Sequence, residues 1–228
     1  MNDFDTYYDT NSIIICITNF LNDNMENEES EKVAKEIVKI YNITKDRKDK
    51  QKNHQELCII FSIIHNGPNI QYKDGVEIAD KYLEQRASLF KENCENDMKL
   101  VKERFENFNN FMITLSKEVE YPFSSSIYRD EEKRSVKFHT GVSMVLATIF
   151  YYFNIDLNNS NLLSEIRSII NYSPLGDPTY NASSTNMRNL LTYMLKKNKI
   201  FEKRFSALKY KNNLSSEILN GLDISQNN

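Results

Sequence analysis

Tryptophan is absent from this chain, and glycine, proline, histidine and cysteine are scarce: five, four, three and three among 228 residues. Each shortage excludes something. The five glycines form no GxGxxG, no GxxxxGK[ST] and no GxSxG, so phosphate-cradling loops are excluded and nucleotide-driven chemistry is not expected. Few glycines and prolines also leave few obligatory turns, which favours a few long helices over many short strands. His54, His65 and His139 stand in no HxH or HExxH arrangement, so no metal site and no cofactor are expected. Cys16, Cys58 and Cys94 are odd in number and lack a CxxC pair, which reads as free thiols in a reducing compartment. The acidic start, residues 1–11, lacks the basic end of a signal peptide. The expectation is an intracellular protein, cytoplasmic or nuclear, with no membrane partner. The net charge is only −3, from 29 basic and 32 acidic side chains, so no global basic field draws the chain onto nucleic acid.

Asparagine, lysine, isoleucine, tyrosine and phenylalanine, by contrast, are heavily used. Their codons are AT-rich, which points to an AT-rich genome and to a virus- or parasite-type factor. The most telling stretch is Val142 to Phe153, apolar apart from the hydroxyls of Ser143, Thr148 and two tyrosines. A helix apolar on every side must be wrapped by other elements. Twelve residues rise about 18 Å, short of the roughly 20-residue run a bilayer needs. The stretch is therefore read as a buried central helix over about 136–154. The fold class expected is all-α, a bundle of seven to nine helices around that helix. It forms a single domain over 1–228, frayed at 1–11 and 222–228, with 156–221 as an alternative C-terminal subdomain.

Other elements follow from caps and periodicity. Helices are expected at Ser12–Leu21 and from Ser30 to Tyr41. Asn53 and Glu56 pair as a cap for a helix ending at Asn66-Gly67-Pro68. Asp74 and Glu77 open the longest pattern, with Val76, Ala79, Leu83, Phe90, Cys94, Val101, Phe105, Phe108, Met112, Leu115 and Val119 near one stripe. Unbroken, residues 75–119 would measure roughly 67 Å, against about 45 Å for a compact globule of this length. The helix therefore breaks, at Lys91 to Asp97, or projects and pairs in a homodimer. In the second case Phe105, Phe108 and Met112 become a partner-binding stripe. Glu120–Tyr128 is a loop. Ser160 caps a short helix carrying Leu162, Leu163, Ile166, Ile169 and Ile170. The segment 172–184, with two prolines and a glycine, is the longest irregular stretch, and reads either as a binding element or as a merely flexible connection. A further helix follows from residue 185, and 200–210 is a helix or a short hairpin.

Two sets of residues point to chemistry. Arg134 and His139, with four residues between them, have a spacing that resembles HEPN-type metal-independent ribonucleases. The resemblance implies a dimeric enzyme in which His139 acts as acid or base on a ribose hydroxyl and Arg134 steadies the phosphate. The bland alternative is a solvated arginine beside a half-buried histidine. Arg188, Lys196, Lys197, Lys203, Arg204 and Lys209, interleaved with aromatic residues, form a basic stretch over 185–211 suited to RNA or DNA. The same aromatic spacing would also fill a core. At the level of architecture, a buried helix ringed by amphipathic ones resembles Bcl-2-like folds. The function expected is non-catalytic binding of a protein partner, with nucleic-acid binding as the alternative and the ribonuclease as a second one.

Overall fold

The computed structural model describes residues 39–41, 52–68, 75–129, 136–177, 180, 186, 188–190, 192–193 and 205–211. The expected helices at 12–21 and from Ser30 lie outside these, apart from a helical end reaching Tyr41. The described chain is predominantly helical.

The first complete helix, α1 (Lys52–Asn66), ends where expected. Gly67 adopts φ 78° and donates its N–H to the Ile63 carbonyl at 2.9 Å. Only glycine takes that conformation without strain, and here a Cβ would also lie 2.7 Å from the Tyr151 ring. From Leu57 to Ile64 every residue of α1 is buried. The helix packs against both long neighbours described next, so being enclosed on all sides is not peculiar to the apolar helix that the sequence singled out.

α2 spans Gly75–Ser116 and is helical throughout, with no interruption at Lys91–Asp97. It is nevertheless not a straight rod. The Tyr82 and Phe105 rings lie 6.2 and 4.8 Å from the Phe61 ring, yet on a straight helix those residues stand about 34 Å apart. Arg86 and Asp97, about 16 Å apart on a straight helix, form an ion pair at 2.6 Å. The helix therefore bends between Arg86 and Asp97, and both arms lie against α1. This resolves the length conflict without a projecting rod. Phe105, Phe108 and Met112 are buried in the chain's own core. Val76, placed on the buried stripe by periodicity, is 52 % exposed.

The loop after α2 is not a solvated connection. Phe123, Ser124, Ser125, Ser126 and Ile127 are all buried. Its serines bond backbone: Ser124 Oγ donates to the Tyr121 carbonyl at 2.6 Å and accepts from the Ser126 N–H, capping a 3-10 turn over Ser125–Ile127.

α3 (Thr140–Tyr152) is shorter than the expected 136–154 at both ends. Val136 to His139 are not helical, and Val136 is exposed. Gly141 to Ile149 are all buried. The two hydroxyls inside are satisfied locally, Ser143 by the Thr140 carbonyl at 2.8 Å and Thr148 by the Met144 carbonyl at 2.7 Å. At Phe153 the chain leaves the helix for a strand, β1 (Phe153–Ile155), which pairs antiparallel with β2 (Leu208–Tyr210). The register places Phe153 opposite Tyr210 and Ile155 opposite Leu208. This small sheet is a minor addition to a chain that is predominantly helical, as expected, and residues 208–210 form its second strand rather than a helix or a hairpin of their own.

α4 (Leu162–Asn171) buries the five apolar residues expected of it. Its N-cap is Asn161, without a side-chain bond, rather than Ser160. Glu165, also buried, explains how the C-terminal strand is held. Its carboxylate accepts from the N–H groups of Ser206, Ala207 and Leu208 at 2.7–3.2 Å and from the Ser206 hydroxyl at 3.0 Å. Three successive backbone donors form a nest for one anion, here supplied by the chain itself. No helix among the described residues is long and apolar enough to cross a membrane.

Candidate functional site around His139

His139 is the one member of the Arg134/His139 pair that the structure describes; Arg134 lies outside the described residues. His139 is placed by three contacts. Its N–H donates to the Phe123 carbonyl at 2.7 Å. Its Nδ1 accepts from the Val142 N–H at 3.4 Å, so it is the N-cap of α3. Its ring stacks on Tyr180, with centroids 5.7 Å apart. An Nδ1 that accepts leaves the ring proton on Nε2. Burial, and then the positive charge of Arg129, lower the pKa of His139.

Three residues that sequence reasoning missed complete the surroundings: Tyr128, Arg129 and Tyr180. The Arg129 guanidinium lies over the Tyr128 ring at 5.5 Å. The hydroxyls of Tyr128 and Tyr180 are buried without a hydrogen-bond partner. Burial, and then Tyr128, push the Tyr180 hydroxyl up to about 12. A Cβ on Gly141 would meet the Tyr180 oxygen at 2.9 Å, so glycine is needed at this close approach. The cluster comprises a histidine, an arginine and two phenols. It can donate hydrogen bonds. The spacing that suggested Arg134 gave no hint of Arg129, which belongs to the preceding loop.

The basic stretch is only partly described. Arg188 is exposed, and Lys209 is exposed on β2 opposite Asn154. Lys196, Lys197, Lys203 and Arg204 lie outside the described residues. Two of the interleaved aromatic residues, Tyr193 and Phe205, are half-buried and pack on the core. Lys211 is half-buried and donates to the Phe150 carbonyl at 2.8 Å. Cys58 is a buried free thiol, pushed up to about 12 by burial and by Asp80. The side chains of Cys16, Cys94 and His54 lie outside the description. No group of three metal-ligating side chains occurs among the described residues.

No family model matches this chain, and no match to it emerges among curated proteins or among solved structures.

Proposed function

We propose that this chain is a non-catalytic binding protein that engages a protein partner through the loop beginning at Tyr172. The observation that supports this reading is Tyr172 itself, 68 % exposed directly after the fully buried Ile169 and Ile170. The loop that carries it is pre-ordered. Ser173 Oγ donates to the Ile170 carbonyl at 2.6 Å and caps a 3-10 turn over Pro174–Gly176, while Leu175 is buried beneath. A Cβ on Gly176 would lie 2.3 Å from the Asn171 carbonyl oxygen, so the turn closes tightly on the end of α4. A rigid, displayed tyrosine is the kind of anchor that interfaces use, because little entropy is lost when it is covered. The body presenting it is proposed to be a bundle of seven to nine helices organised about α3, in an intracellular setting.

The test is Tyr172→Ser in the full chain. The variant is expected to melt within about 2 °C of wild type, as an exposed substitution should. It is also expected to lose a protein that wild type retains in stoichiometric amount on affinity capture. Identical capture by the two proteins contradicts the reading.

A second reading, nucleic-acid binding, draws on the exposed Arg188 and Lys209. It requires affinity that falls steeply with salt. Binding of single-stranded RNA or duplex DNA that is absent, or indifferent to salt, removes it.

A further inference from the structure

The ends of α1 and α3 meet. The Cβ position of Gly67, just past α1, lies 2.7 Å from the ring of Tyr151, in the last turn of α3. Neither helix carries a lysine or arginine in its own last turn. The cations come from elsewhere. Arg104, on the second arm of α2, donates Nη1 to the Ile64 carbonyl of α1 at 2.9 Å. Lys211, just past β2, donates Nζ to the Phe150 carbonyl of α3 at 2.8 Å and lies 5.2 Å from the Phe150 ring centroid. The Phe150 ring in turn sits 5.3 Å from Phe108, one turn along from Arg104.

Two full positive charges are thus gathered where two helix ends supply about half a negative charge each. That leaves about one positive charge uncompensated. Neither cation forms an ion pair with a carboxylate among the described residues. Among the described residues each spends one N–H on a helix end, and the other donors of both have no partner there. Both side chains are half-buried, which raises the cost of the unbalanced charge while leaving an open side. Burial, and then the Arg104 charge, lower the pKa of Lys211, as close approach of like charges requires.

We propose that Arg104 and Lys211 form a binding notch for a tetrahedral oxyanion of the phosphate class. A guanidinium fork and an ammonium supply donors and charge, and phosphate supplies acceptors only. The site is separate from the Tyr172 loop and does not depend on it.

The test is thermal unfolding of the full chain in sodium phosphate against sodium chloride at matched ionic strength, with acetate and O-phosphoserine as further arms. Phosphate at ten times its Kd is expected to raise the melting temperature by about 4 °C over chloride. Acetate is expected to behave as chloride does. A shift with phosphate alone assigns the free ion, and an equal shift with O-phosphoserine assigns a monoester; both support the notch. Arg104→Gln and Lys211→Gln should each weaken the response at least tenfold, and Lys211→Arg should keep it. A wild type indifferent to phosphate, or a full response in both glutamine variants, overturns the proposal. So does a shift with single-stranded RNA but none with phosphate. Each glutamine variant also disturbs a helix end; if either fails to fold, the wild-type comparison of phosphate with chloride decides.

Discussion

His65 sits in a triangle of rings with Phe61 and Tyr82, at 5.9 Å from each, and its Nδ1 bonds the Phe61 carbonyl at 2.8 Å. Its Nε2 is buried without a partner. Burial lowers its pKa to about 4, with the charges of Arg86 and Arg104 adding to the shift and the bond to Phe61 opposing it. The folded protein therefore resists a proton that the unfolded chain accepts near pH 6.5. As pH falls from 6.5 towards 4 the unfolded state gains protons first, so stability declines through that window and levels off below it. The loss attributable to His65 is at most about 3 kcal/mol. Urea denaturation at pH 7 and pH 4.5 checks this: His65→Gln should flatten the difference, and an unchanged slope would assign it elsewhere. None of this was legible in the sequence, where His65 is one polar residue near a helix end. What was legible at this scale were residues whose roles are local. Gly67 was marked as a stop because only backbone conformation is involved, and Ser143 and Thr148 were marked as the polar exceptions in an apolar helix.

At the scale of elements, the bend in α2 is the feature that periodicity could not give. The apolar stripe runs on through it, and a continuous pattern carries no signal of curvature. Only the length conflict betrayed it. The Arg86–Asp97 pair closes the bend with both side chains buried, at 7 % and 9 % exposure. Removing one partner leaves the other charge buried and unpaired. Asp97→Asn should therefore cost about 3–5 kcal/mol, read as a lower urea midpoint with an unchanged slope. Replacing both, as Arg86→Met with Asp97→Leu, should recover much of that loss. If the double variant is no better than the single one, the pair is not what holds the bend. The β1–β2 pairing was hidden for a different reason. Its strands are three residues long and lie more than fifty residues apart in sequence. Helical propensity dominates both neighbourhoods, and tertiary contact overrides it.

Across the whole molecule, polar side chains repeatedly secure backbone ends. His139 caps the start of α3, Lys211 its end, Arg104 the end of α1, and Glu165 the turn into β2. These are residue types that a sequence reader assigns to catalysis or to nucleic acid, because spacing alone does not reveal which backbone group lies opposite. The sequence did disclose the helical class, the enclosed run Val142–Ile149 and the face of α4, since burial patterns are local. It did not disclose that His139 is committed to the start of its own helix. The most direct test is nitrogen-detected NMR of His139 across a pH titration. The account predicts an unprotonated Nδ1, a proton on Nε2 and a pKa below the ordinary 6.5 of a histidine. A proton on Nδ1 together with a pKa at or above 6.5 would contradict it.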